Sequence, residues 1–307
     1  MSLNRKEGYY KRAGMQVFFM ALPFLCIIFI FNYLPLWGWA FAFFNYRPGL
    51  SLLDCEFVGF SHFTRLFGNP VLFSQLINSL KNTLGIVSIG WLFSPLPMLF
   101  AILLSEVRFK IYQRVVQTIT TLPNFVSWII VYSLMFSLLN VNTGAVNELL
   151  SFLGFPRVNF LISSDNVWFK MWLIGAWKGL GWSAIIYFAA IAGIDKTLFE
   201  AAMVDGANRI QKIWYITLPC LLPTYFVLFI ISIGSFLSTG MEQYLIFQNP
   251  LNKESIEVLD LYVFNIGITR GQISFGTAIG MMKSTISIIM FSAANVLSKY
   301  IRGESVF

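Results

Sequence analysis

EAAMVDGANRIQKIWYITLP, residues 200–219, is the stretch on which the reading of the fold turns. It carries Glu200, Asp205, Arg209 and Lys212, too many charges for a segment in lipid, yet it separates two of the most apolar runs in the chain. A connector between neighbouring membrane helices needs only a few residues. Here apolar residues recur at helical spacing, first Leu198, Ala201 and Ala202, then Ile210, Ile213 and Trp214, with Gly206 between the two sets. Glycine permits a left-handed backbone, so the spacing predicts helix, bend, helix. Thr197 is the expected cap of the first helix, with Glu200 three residues on. Leu218-Pro219 is the expected start of the next apolar helix, since proline is tolerated in a first turn. The residues alone leave two uses open. The segment is an amphipathic linker lying on the inner leaflet, or a helix held out for another surface, which the small Ala201 and Ala202 allow to come close.

The rest of the chain sets this stretch in a membrane. Of 307 residues, 57% are hydrophobic and only 11% charged, against about 25% charged in a soluble domain. So little charge cannot cover a chain of this size in water. The predicted fold class is an all-α membrane protein with six transmembrane helices, near residues 15–40, 82–104, 116–139, 168–192, 218–238 and 273–298. Pro23, Pro35, Pro95, Pro97, Pro123 and Pro223 are expected to kink these helices rather than end them. The first apolar run follows four basic residues as a secretory signal would. However, it continues far beyond a signal core and lacks a small-x-small cleavage site, which predicts an uncleaved first span.

The net charge of +7 and a pI near 9.3 describe topology rather than a nucleic-acid partner. The terminal segments and the loops after the second and fourth spans hold twelve basic residues; the opposite, longer loops hold six. Basic residues gather on the cytoplasmic side. Residues 1–14, residues 299–307 and the 195–219 loop are therefore expected in the cytoplasm, with residues 15–298 forming the membrane domain. On the outer side, FVGFSHFTRLF (57–67) and VNELLSFLGF (146–155) are amphipathic and read either as short interfacial helices or as connectors.

Several chemistries are excluded. Cys26, Cys55 and Cys220 lack metal-ligand spacing and His62 is the single histidine, so no metal site is expected. No Gly-x-x-x-x-Gly-Lys-[Ser/Thr] occurs; the nearest letters, GMMKST at 280–285, lack the Gly-Lys pair. No paired carboxylates fall in a cleft-like pattern and no Gly-x-Ser-x-Gly elbow occurs, which excludes an enzyme reading. An ion-coupled secondary transporter would place acids within spans, whereas all fourteen here fall in loops or at span ends. Two lysines do fall mid-span, Lys178 and Lys283. Each either faces an interior or a cavity, or is held by an ion pair or a carbonyl.

The pattern Glu-Ala-Ala, three residues, Gly, nine residues, Ile-x-Leu-Pro resembles the signature loop of permease subunits of binding-protein-dependent ABC importers. It is matched at Glu200, Ala201, Ala202, Gly206, Ile216, Leu218 and Pro219. FVGFSHFTRLF with the Asn-Thr-Leu of 82–84, LPNFVSW (122–128) and IIYFAAIAGIDKTLFEAAMVDGA (185–207) resemble the sugar-importer branch. The N-terminal YYKRAGMQVFFMALPFLCIIFIFNYLPLWG (9–38) resembles the subset serving polysaccharide fragments.

The resemblance implies a type I ABC importer permease in a bacterial plasma membrane. Glu200, with Ala201, Ala202, Asp205 and Gly206, would form a coupling helix docked on a cytoplasmic ATPase. The implied partners are a second, homologous permease in a heterodimer, two ATPase subunits, an extracellular solute-binding protein and lipid, with no nucleic acid. ATP and magnesium would bind the partner subunits and no cofactor this chain. The cargo would be a carbohydrate, an oligosaccharide, and an ion-coupled transporter is the alternative. In such importers substrate contacts lie midway along the spans flanking the loop. That selects Trp177, Lys178 and Trp182, then Ser232, Phe236 and Thr239, with Lys283 the next candidate. Ser232, Ser235, Phe236 and Thr239 share one helix face that serves equally for helix packing. Lys178 points to an acidic sugar such as a uronate.

Overall fold

The computed structural model describes residues 2–302. Met1 and residues 303–307, parts of the expected terminal segments 1–14 and 299–307, lie outside the described residues. The described chain is almost wholly helical and divides into two compact units.

The smaller unit takes the chain up to Gly68 together with Ile266–Met282. Helix α1, Ser2–Ile28, contains Pro23 and runs on through a wide turn, Phe29–Tyr33, and a tight one, Leu34–Phe43. Proline lacks an amide hydrogen and crowds the preceding turn, so changes of helical pitch follow it. The amphipathic 57–67 stretch supplies α2, Ser61–Gly68, as one of its two readings expected. Rings of Phe43, Phe60 and Phe63 cluster beside it, and Arg65 lies 5.0 Å over the ring of Phe275.

The larger unit takes Asn69–Asn265 and the chain from Lys283 on. Helix α3, Pro70–Leu92, starts twelve residues before the expected second span; Asn69 caps it, accepting from the N–H groups of Val71 and Leu72. After a break at Pro95 comes α4, Leu96–Ser105. The expected third span, 116–139, is not one helix. Helix α5, Lys110–Thr121, passes through a tight turn, Leu122–Phe125, and meets α6, Trp128–Leu139, at a bend of 109°. Pro123 cannot donate, and Val126 and Ser127 are extended. Helix α7, Ala145–Phe152, is the second amphipathic outer stretch. Helix α8, Val167–Ala192, follows the expected fourth span closely. Gly181 gives it room: a Cβ there would collide with the backbone of Thr120.

Helices α9, Lys196–Val204, and α10, Arg209–Lys212, come from the opening stretch. Helix α10 runs on through a wide turn, Ile213–Thr217, into α11, Leu218–Gly234. The fifth span thus starts at Arg209 rather than 218, and Pro219 is internal to it. The wide turn makes this possible: Leu218 donates five residues back, to Ile213 O. Short helices α12, Glu242–Phe247, α13, Lys253–Ile256, and α14, Leu259–Phe264, precede α15, Ile273–Arg302. Among the described residues, five helical stretches are long and apolar enough to cross a membrane, or six if the bent α5–α6 pair is one span.

The core of this unit includes residues that charge patterning assigns to an outer loop. Ile256, Val258, Leu261 and Tyr262 are fully buried. Ile256, Val258 and Leu261 pack with Ile86, Val131, Met171 and Phe247. Asn82 ties them in, donating to Glu254 O (2.8 Å) and Glu257 O (3.1 Å) and accepting from Trp168 Nε1 (3.1 Å). Thr83 Oγ1 accepts from the Leu259 amide at 2.8 Å.

Candidate functional site: an exposed helical turn and a line of cavities

The α9 turn is built from local hydrogen bonds. Asp195, not Thr197, is its N-cap: the Asp195 carboxylate accepts from the Thr197 amide at 2.9 Å. That bond holds the Asp195 carboxyl below its ordinary pKa. Asp wins because its position leaves the first free amides within reach of the side chain. At the other end Ala207 N–H reaches Ala202 O (2.8 Å) and Gly206 N–H reaches Met203 O (3.1 Å). This pair of closing bonds needs a left-handed residue, and Gly206 supplies it with φ +76°. Asn208 then caps α10 reciprocally with Gln211, at 2.9 and 2.7 Å. No residue of α9 is buried. Glu200, Ala201 and Asp205 are exposed, as are Leu198, Met203 and Val204; Ala202 is half-buried. The turn therefore offers an apolar and acidic surface that the described residues do not cover.

Beside it, three cavities follow one another along α8. The first, about 440 Å³, is lined by Asn78, Lys81, Asn82, Trp168, Phe169 and Glu254 among others. The second, about 350 Å³, is lined by Trp91, Trp172, Ser235, Phe236, Thr239 and Gln243 among others. The third, about 470 Å³, includes Trp182, Ser183, Ile186, Tyr187 and Tyr225. Ser94 and Ser232 line both the second and the third. Residues at four-residue spacing on a helix share one face. Asn78, Asn82, Ile86, Gly90 and Ser94 do so on and just beyond α3, and each borders a cavity. On α8, Trp168, Trp172, Ala176, Ser183 and Ile186 form the facing stripe.

The candidate residues are distributed unevenly over this arrangement. Ser232, Phe236 and Thr239 border the second cavity and Trp182 the third. Trp177 is 42% exposed and borders none of the three. Lys178 is absent from their linings as well. It is 9% exposed, donates to Asn124 O at 2.8 Å and lies 5.2 Å over the Trp128 ring. The 109° bend frees a carbonyl inside the bundle, and a cation satisfies it more strongly than a neutral donor. Lys178 thus spends one of its three donors on the bend, while Trp182, four residues on, packs edge-on against Phe125 at 5.6 Å. Lys283 is paired with Asp260 of α14, whose second carboxylate oxygen accepts from the Gly240 amide at 3.0 Å.

Trp91, Ser94, Trp172, Gln243 and Tyr244 were not singled out by sequence. The four-residue stripe of Asn78, Asn82, Gly90 and Ser94 was the available signal on α3. Gln243 carried none: it is placed by a tertiary bond, its side-chain amide donating to Met171 O at 2.7 Å.

Residues 93–303 match the family model described as binding-protein-dependent transport system inner membrane component. Over 294 residues the chain is 40% identical to the polygalacturonan/rhamnogalacturonan transport system permease protein YteP of Bacillus subtilis (strain 168), covering 95% of this chain and 90% of that one. It is equally identical, 40%, to protein LplB of the same organism, covering 95% and 91%. Among solved structures it resembles a chain of a bacterial alginate ABC transporter in complex with an alginate pentasaccharide-bound periplasmic protein. The TM-score is 0.83 with 34% identity, covering 96% of this chain and 98% of that one.

Proposed function

The chain belongs to the family of binding-protein-dependent transport system inner membrane components, multi-pass proteins of the bacterial plasma membrane, and from that membership we propose that it forms half of the path by which an ATP-driven importer takes up an oligosaccharide. One observation carries the reading: the α9 turn has no buried residue and leaves Glu200, Met203 and Val204 uncovered. A chain with no nucleotide-binding motif must borrow the energy of ATP hydrolysis, and this turn is the surface through which it does so. The ATPase subunits hold ATP and magnesium; this chain holds neither. Family membership likewise displaces the ion-coupled alternative.

The geometry supports a mechanism. Residues 193–195 alone separate α9 from α8, and the capped α10 runs without a break into α11. A pull on α9 therefore moves both helices that wall the second and third cavities. ATP-driven closure of the two ATPases would draw this turn toward its counterpart on the second, homologous permease. The cavities would then open outward to the solute-binding protein. Hydroxyls of Ser232, Ser235 and Thr239, the Gln243 amide and the rings of Trp91, Trp172 and Phe236 suit a sugar, whose hydroxyls need hydrogen bonds and whose C–H faces suit aromatic planes.

The relatives' names point to acidic glycans, since the second alginate transporter structure, TM-score 0.81 and 36% identity, imports what its description calls an acidic polysaccharide. Lys178, with one of its donors spent on Asn124 O, lines none of the three cavities. The test is uptake of a defined uronate oligosaccharide into vesicles holding the co-purified complex. Uptake is expected to require ATP and the binding protein, to survive protonophores, and to come with two permease masses. Accumulation without ATP would overturn the reading.

A further inference from the structure

The first cavity, at the end of α8 opposite to α9, has a composition unlike the other two. Lys81 and Glu254 border it with exposed side chains, whereas the linings of the second and third hold no Lys, Arg, Asp or Glu. Two rings, Trp168 and Phe169, stand beside these charges, with Ser164, Asn166 and Ser255 at the rim. The Asn166 side chain makes no cap bond to α8, so its amide is left for another partner. Much of the rest of the lining is already committed: Asn78 donates to Glu254 O, and Asn82 holds Glu254, Glu257 and Trp168. The cavity is therefore a fixed pocket edged by one cation, one anion, an amide and an exposed ring.

We propose that this pocket is a separate outer subsite for the trailing part of a long uronate oligosaccharide, so that the permease, and not only its binding protein, reads chain length. Lys81 pairs with a sugar carboxylate, Phe169 lies against a pyranose face, and Glu254 and Asn166 take hydroxyls. The proposal rests on the oligosaccharide reading above. Its geometric basis is position: Ile86 of α3 borders the second cavity, and Lys81, about 7.5 Å further out along the helix, borders the first. A cargo confined to the second cavity does not reach Lys81. A longer one, extending outward beyond Ile86, does.

The test uses the full complex with its binding protein, normalised to assembled transporter, and compares uptake of long and short uronate oligosaccharides and of the long one with its carboxyls reduced to alcohols. The variants are Lys81→Gln, Lys81→Arg and Phe169→Ala, all at exposed side chains. Lys81→Gln and Phe169→Ala should raise the KM for long cargo about three- to tenfold, the size of one lost hydrogen bond, and leave short cargo unchanged. Lys81→Arg should restore it, and the carboxyl-reduced cargo should not distinguish Lys81→Gln from the unaltered protein. Equal effects on long and short cargo, or none on either, would overturn the proposal. So would a raised KM for the binding protein that is independent of cargo, which would make the pocket a protein-docking surface. If the unaltered complex takes up no glycan with ATP, the functional reading itself fails, and the two failures are distinct.

Discussion

The α9 turn and the α12–α14 segment are both broken helices between two spans, and they are held by opposite means. Every bond that shapes α9 comes from within a few residues: Asp195 to Thr197, Gly206 to Met203, Asn208 to Gln211. It buries nothing. The α12–α14 segment buries Ile256, Val258, Leu261 and Tyr262 completely, and its backbone is tied by Asn82 and Thr83, more than 170 residues away in sequence. The first owes its shape to local chemistry and leaves its surface uncovered. The second owes its shape to the bundle and keeps only its edge, with Glu254, exposed. A charged, capped, unburied turn is where an external force can be applied; an interdigitated segment is what transmits it.

This contrast is open to three attacks. The largest effect should follow Gly206→Pro. Proline cannot adopt φ +76° and removes the amide that closes α9 on Met203. Strain of this kind costs about 1–3 kcal/mol locally, and with the docking face misplaced ATP-dependent uptake should fall by about tenfold or more. Thermal stability of the solubilised chain should barely change, because no residue of α9 is fully buried. Loss of the folded protein instead would mean that the turn is not independent. Glu200→Lys should act in the same direction without strain, by reversing the exposed charge.

Asn82→Ala attacks the other region. It takes the Asn82 donor from the buried Glu257 carbonyl, at about 1–3 kcal/mol before relaxation, while Glu254 O keeps its bond from Asn78 and the Trp168 indole N–H its bond to Ser255 O. The melting temperature should drop clearly while ATPase subunits still co-purify with the folded fraction. Unchanged melting would show that the segment is held by packing alone.

The smallest effect concerns Asp195. Its carboxyl titrates below the ordinary aspartate value in the folded chain because the ionised form accepts the Thr197 amide. The cap therefore contributes above that value and is lost as the pH falls through the lower folded one. Hydrogen exchange at Thr197 should quicken over that acid range relative to other α9 amides, and Asp195→Asn should remove most of the pH dependence.

How far the sequence could be read follows the same division. Helix, bend and helix around Gly206 were legible because a left-handed position and a cap are local events. The cap itself was assigned to Thr197 because Glu200 suggested a reciprocal pair; Asp195 was the stronger acceptor. The spans near 168–192 and 273–298 were legible from apolar length. The 116–139 span was not, since Pro123 in lipid is as compatible with a kink as with a 109° break. The burial of α12–α14 was invisible for a different reason. In a chain that is apolar nearly throughout, hydrophobicity no longer separates core from periphery, and Asn82 and Thr83 mark the core better than any leucine does. Lys178 stands out in the sequence as a mid-span cation, but its hydrogen-bond partner is a carbonyl fifty-four residues away, which no local pattern marks.

That lysine has an electrical consequence. Moving one elementary charge across a membrane held at 100 mV takes about 2.3 kcal/mol. Lys283 travels with Asp260 as a neutral pair, and Lys178 is fastened to the bend by its own hydrogen bond. Of the two mid-span lysines, Lys178 alone keeps a net charge, because a backbone carbonyl does not neutralise it. Any voltage dependence of the conformational cycle would then report the displacement of Lys178 on α8 together with the charge of the cargo.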